Sequence, residues 1–336
     1  MVRGTGRSLK GFSSSGGRLV KGLLVAGAAV GLPALALTLL RRRVEAPQAP
    51  RWGRTHRYAG RLGEVSFQEL GRGRPVVLLH SFGPGYDSAQ WRAAAEVLAA
   101  NHRVFALDLP GWGRSDGPVG GHDPGLYVDV LDDFLTGVVG EPAVVVAAGL
   151  SAAFAVELAR EDPGLIRALA LVGPQGLSDA SEGGDARRAF LGRLLHVPLV
   201  SATVIDLLTG RSALEHHLRR EVYAAPERVD AALLEHHYRA SHVPRSRRAL
   251  AAYLRGDLAL DVAEALPQLK VPVWLAWGRK AQNPPIEAAD LWLHDLPEES
   301  DADLEVFEGA GNLPHAESPA LFCRALERFL ASLPDA

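Results

Sequence analysis

From about residue 55 onward, short apolar runs alternate with segments of helical spacing, and this rhythm restricts the fold more than any other feature of the chain. The runs are EVSFQEL (64–70), PVVLLH (75–80), RVFALDL (103–109), AVVVAA (143–148), ALALVG (168–173), VPVWLAW (271–277) and DLEVFE (303–308). Between them, residues 88–100, 126–139, 152–162, 286–296 and 320–333 repeat apolar side chains every three to four positions, as an amphipathic helix requires. Near-continuous apolar strands joined through helices predict an α/β fold with a mostly parallel central sheet flanked by helices. Residues 178–262 break the rhythm with helical patterns and no strand, so they read as a helical cap inserted between core segments 55–177 and 263–336.

Ahead of this lies an uncharged run, GLLVAGAAVGLPALALTLL (22–40), long enough to span a bilayer as a helix. Residues 1–21 are basic, with Arg3, Arg7, Lys10, Arg18 and Lys21, and Arg41, Arg42 and Arg43 follow the run. A retained single-pass N-terminal transmembrane helix is the first reading. The small-x-small ALA at 34–36 supports a cleaved signal instead, and a surface-lying helix is the third reading. The arginines after the run favour a cytoplasmic globular domain under the positive-inside rule. The polar, Pro-containing stretch 41–54 reads as a linker.

The 336 residues carry a formal net charge of −3 and are 47% hydrophobic, which suits a globular core and sets nucleic acid aside as a partner. One cysteine, Cys323, excludes an internal disulfide and a cysteine zinc cluster, and its helical apolar context reads as packing. No dinucleotide or phosphate-loop fingerprint follows any strand, so no cofactor is expected. The near-repeats LEHHLRR (214–220) and LEHHYRA (234–240) bring His216, His217, His236 and His237. Adjacent histidines point to different helix faces, so these read as cap residues and not as a metal site.

Several motifs carry chemistry. VVVAAGLSAAFAVELA (144–159) reads as strand, tight turn and helix; VVLLHSFGPG (76–85), ALDLPGWGRSD (106–116) and VFEGAGNLPHAESP (306–319) end or follow strands. Together with LYVDVLDDFL before VVGEPAVVVAA, they make residues 55–334 resemble the α/β-hydrolase fold family. The D-x-x-G-x-G-x-S turn of 108–115 is the most specific of them. The resemblance implies a serine nucleophile on a strand–turn–helix elbow, an acid, a histidine base, and an oxyanion hole of two backbone N–H groups.

Carried over residue by residue, each catalytic position is substituted. Counting back eight residues from Glu157 places Gly149 at the nucleophile position, with Ser151 replacing the second glycine of the elbow; the S-S-L-S-A-A pattern of similar chains gives the same register. The rival register makes Ser151 the nucleophile. WGRKAQNPP (277–285) puts Ala281 at the acid position, and GNLPH (311–315) puts Asn312 at the base position. The oxyanion-hole-like residues are Phe82 and Leu150, with His80 and Ser81 as pocket residues; Ser81 stands where the family has glycine. Alanine offers neither charge nor hydrogen bond, and asparagine has no titratable nitrogen. The resemblance therefore implies a membrane-anchored homologue impaired or lost in catalysis, holding a small apolar ligand or a protein partner between core and cap. The other reading is an active hydrolase of small esters using Ser151, His315 and an acid at the cap entry, Asp179 or Glu182. Replacing Gly149, Ala281 and Asn312 together by Ser, Asp and His is expected to restore some ester hydrolysis.

Overall fold

The computed structural model describes residues 52–118, 120–177, 195–297 and 302–334. An eight-stranded sheet runs β1 (Arg54–Gly60), β2 (Gly63–Gly71), β4 (Arg103–Leu107), β3 (Pro75–Leu79), β5 (Ala143–Ala148), β6 (Ile166–Val172), β7 (Val273–Gly278) and β8 (Asp303–Phe307) in spatial order. β2 pairs antiparallel with β1 and β4, and every pair from β4 to β8 is parallel. The expected α/β architecture is thus present.

β1 has no apolar run in the sequence, because its side chains alternate between exposed and half-buried. Its presence corrects the linker: Arg54 is already in the sheet, and Trp52 is buried among residues of the core.

Strand alternation splits the interior into two layers. Val77, Leu79, Val145, Ala147, Leu169, Leu171 and Leu275 face one side, against α2 (Pro124–Phe134) and α3 (Ser151–Glu161). Val76, Leu78, Val144, Val146, Ala170, Val172 and Ala276 face the other, against α1 (Arg92–Leu98) and α10 (Pro319–Ser332), where Cys323 is buried as expected. Period-two alternation of entirely apolar strands demands this two-sided burial.

The described part of the cap is helical: α4 (Pro198–Leu208), α5 (Arg211–His217), α6 (Ala231–Ser241) and α7 (Pro244–Arg255). Ala249, Leu250 and Ala252 of α7 join the same apolar cluster as the α2 and α3 side of the sheet. After the cap come α8 (Ala289–Asp295) and the short α9 (Pro314–Glu317). Among the described residues no helix is long and apolar enough to cross a membrane; residues 22–40 lie outside them.

Candidate active site

Strand order places the site. β3 lies beside β5, and the chain leaves β3 toward β4 on one side and β5 toward β6 on the other, so a topological switch point, where open α/β sheets form their crevice, falls beyond the carboxyl ends of β3 and β5. Leu79 is paired with Ala147, so the residues two places further along each strand, Ser81 and Gly149, come face to face.

Gly149 occupies the tip of the turn between β5 and α3 at φ +58°, the left-handed region that a nucleophile must adopt in this fold and that glycine adopts without strain. Its N–H donates to Val172 O at 3.0 Å, and its carbonyl accepts from Gln175 N–H at 3.1 Å. A Cβ at this position would meet Ser81 Oγ well inside van der Waals contact and Ser81 Cβ at 3.2 Å. The hydroxymethyl group of Ser81 therefore fills the volume in which a nucleophile side chain would stand.

This opposition makes a test. Gly149→Ala alone is expected to cost about 1–2 kcal/mol from the left-handed backbone, plus the clash. Adding Ser81→Gly should return the clash part, so chemical denaturation of the two single variants and the double variant would give a non-zero coupling energy. Strict additivity would refute the contact.

Ser151 is in the first turn of α3, fully buried, and donates its hydroxyl to His80 O. It ties the elbow helix to the end of β3 and presents no oxygen to the crevice. His80 is also buried: Leu109 N–H donates to its Nε2 at 3.0 Å, and Nδ1 pairs with Ser81 O at 2.8 Å. These partners fix a neutral tautomer with the proton on Nδ1, in keeping with a pKa lowered by burial to about 4. His80 braces the β3 and β4 loops, which corrects its reading as a pocket residue.

Neither the Phe82 nor the Leu150 N–H donates to an acceptor among the described residues, which leaves both free to serve as oxyanion donors. The Phe82 ring is buried among Trp112, Tyr127, Phe154 and the cap residue Tyr253, at centroid distances of 5.1, 5.2, 5.8 and 6.0 Å. Tyr253 ties this aromatic cluster of the core to the cap. A separate groove of about 590 Å³, lined by Trp274, Asp303, Arg328 and Phe329 among others, lies at the opposite, amino-terminal end of β7 and β8.

Across the crevice, the loops after β7 and β8 are joined. Asn312 Oδ1 accepts from Gln282 N–H at 2.8 Å, while its own N–H donates to Val222 O of the cap at 2.9 Å. A base-and-acid pair would have to span the two loops here; in this chain one amide bonds the neighbouring backbone directly, beside the half-buried Ala281. Asn312 thus connects the loop after β7 and the cap to the loop after β8.

His315 lies in α9, fully buried and stacked on Trp91 with ring centroids 3.7 Å apart. Neither of its nitrogens has a partner, and burial lowers its pKa to about 3, so it stays neutral. No hydrogen bond connects it to Ser151 or Ser81, so the fallback pair of Ser151 and His315 is not assembled. Asp179 and Glu182 lie outside the described residues.

Two features escaped the sequence reading. Glu317, buried, accepts from Gly311 N–H at 2.6 Å, Ala224 N–H at 2.8 Å and Ala225 N–H at 3.3 Å, which joins the β8 loop to the cap. Burial raises its pKa, and these three bonds pull it back. His236 of α6 bonds both carboxylate oxygens of Asp87, at 2.9 and 3.0 Å. Positions 149 residues apart give no local signal of such a pairing.

Residues 76–325 match the family model described as the alpha/beta hydrolase family. A 2-hydroxy-6-oxo-6-phenylhexa-2,4-dienoate hydrolase of Burkholderia cepacia is 26% identical over 287 residues, covering 80% of this chain and 91% of that protein. An uncharacterized protein of Mycobacterium tuberculosis (strain ATCC 25618 / H37Rv) is 27% identical over 284 residues, covering 79% and 77%. Among solved structures, a bacterial membrane phospholipase A superposes with a TM-score of 0.69 at 19% identity, covering 95% of this chain and 98% of that one.

Proposed function

The chain belongs to the α/β hydrolase family, and from that premise we propose that it is a member which holds a ligand without cleaving it. The observation that carries this reading is the elbow, where Gly149 keeps the left-handed turn at φ +58° while offering no nucleophile. The substitutions at Ala281 and Asn312 agree with it, because an attacking hydroxyl would find neither a base to take its proton nor an acid to orient that base. Since triad members act as a unit, a site lacking all three retains only what binding and the oxyanion donors supply.

The N–H groups of Phe82 and Leu150, without an acceptor among the described residues, suit a carbonyl or carboxylate oxygen, and the rings of Phe82 and Tyr253 suit a small apolar body. A dienoate of the kind named for the Burkholderia relative combines both features and gives the chemical class in which to seek the ligand. The test is a fluorophosphonate probe applied alongside p-nitrophenyl acetate. The chain is expected to remain unlabelled and to match its Ser151→Ala variant in residual ester hydrolysis. Stoichiometric labelling at Ser151 or Ser81 would overturn the proposal.

We further infer that residues 22–40 tether this domain to a membrane, with the cytoplasmic side favoured. The uncharged run bounded by arginines and lysines supports it. Full-length chain is expected to stay with membranes after alkaline carbonate extraction, whereas release into the supernatant would refute the tether.

A further inference from the structure

Two consecutive residues of α6 reach one short stretch of the core. His236 spans both oxygens of Asp87, and His237 Nδ1 bonds Pro84 O at 2.9 Å while its ring meets Tyr86 edge-on at 5.3 Å. Between them, Gly85 at φ +75° lies so close beneath the α6 backbone that a Cβ there would collide with the His237 carbonyl. This stretch directly follows Phe82, and Asp87 also caps the turn Ser88–Trp91 by accepting from Ala89 N–H at 3.0 Å. The grip of α6 and the placement of the crevice loop are therefore one structural unit.

We propose that His236 and Asp87 form a proton-operated latch between the cap and the loop carrying Phe82, closed when the imidazole is protonated and loosened when it is neutral. The electrostatic setting is lopsided. Asp87 is buried, and a second buried carboxylate, Asp108, stands near it, held by Ser88 N–H and Arg114 N–H at 2.9 Å each. His80 is within electrostatic reach of Asp87, and Arg245 of α7 within reach of Asp108. On α6 itself His237 adjoins, while Glu235 is engaged by Arg211 and Arg239; His217 faces His237 from α5. Within this set the His236 imidazolium is the cation bonded directly to Asp87. Losing its charge leaves two buried carboxylates facing each other with the nearest compensation gone.

The direction of the pH effect follows. Asp87 holds His236 above its ordinary value of 6.5, so the latch is closed on the acid side and its contribution is lost as pH rises through that raised value. Burial works to raise Asp87, yet the His236 charge and hydrogen bond hold it below the ordinary value, so it stays ionised across this range. Burial and the neighbouring Asp87 push Asp108 up to about 6; it carries its charge above that point and adds to the repulsion released when His236 turns neutral. Burial takes His237 down to about 4, which makes its bond to Pro84 a hold that does not titrate over the same range.

Hydrogen exchange read by mass spectrometry on the full chain, at pH 6 and pH 9 and corrected for intrinsic rates, tests the latch apart from any question of turnover. Protection of peptides spanning 231–241 and 82–91 is expected to fall about 10-fold or more at pH 9, while the β5 peptide 143–148 stays unchanged. His236→Gln, which keeps a donor but no charge, should show the lower protection at both pH values. His237→Gln should lower protection at both while leaving the pH step in place. Equal protection of the parent at the two pH values, a loss spread equally into β5, or a pH step that survives in His236→Gln would each overturn the latch.

Discussion

The fourfold variant Ser81→Gly, Gly149→Ser, Ala281→Asp and Asn312→His is expected to hydrolyse p-nitrophenyl acetate at least about 100-fold faster than the parent chain, a gain within what one restored catalytic device supplies. The threefold variant that keeps Ser81 should gain much less. Its new serine would have to share its space with the Ser81 hydroxyl, which stands against the elbow from the end of β3. The sequence-based expectation of restoration by three substitutions is thereby sharpened: the fourth position belongs to the same constellation. Restoration also has a structural cost. Asn312→His removes the amide oxygen that holds Gln282 N–H at 2.8 Å, so the loop after β7 must be re-secured by the new Asp–His bond. Initial rates together with fluorophosphonate labelling decide the matter. A folded fourfold variant that neither turns over nor labels at position 149 would show that the two oxyanion donors no longer converge on an attacked carbonyl.

Glu317→Ala should be the most destabilising single substitution near the crevice that leaves the triad positions untouched. The Glu317 carboxylate is buried and satisfies three backbone N–H groups, from Gly311 in the β8 loop and from Ala224 and Ala225 in the cap. Deleting it strands those donors, and hydrogen bonds to a charged group contribute about 1.5–3 kcal/mol apiece, with partial recovery by water. A loss of about 3 kcal/mol is expected, seen as a fall in Tm of about 5 °C in a domain of this size. Glu317→Gln should fall between, since its amide keeps one acceptor oxygen and turns an NH2 group toward a donor. Thermal unfolding of the three proteins followed by circular dichroism checks the order. A Glu317→Ala protein within about 0.5 kcal/mol of the parent would show that the cap and the β8 loop do not depend on this bridge.

The parallel strands were legible as runs because each has to be buried on both faces, and composition records that demand; their spatial order was not. β1 was not legible, since an edge strand with alternating exposure needs no apolar run, only a partner to supply its backbone bonds. At the elbow, spacing to Glu157 argues for the Gly149 register; in the structure Gly149 has φ +58°, and Ser151 lies inside the helix and bonds His80 O. The substitutions Gly149 and Ser81 were each visible as departures from a motif. Their mutual contact was not, because it depends on β3 and β5 pairing with Leu79 opposite Ala147.

What this sequence determined by itself is therefore local and periodic: which runs must be strands, that helical segments interrupt them, and which residue types stand at positions 149, 281 and 312. Those properties follow from side-chain hydrophobicity, backbone freedom and titration chemistry, which each residue carries wherever it is placed. The tertiary structure alone decided which distant residues meet: Ser81 against Gly149, Asn312 across to Gln282, Glu317 under the cap and His236 on Asp87. Hydrogen bonds and close contacts act over a few ångströms, and only strand pairing and cap docking bring such partners within that range.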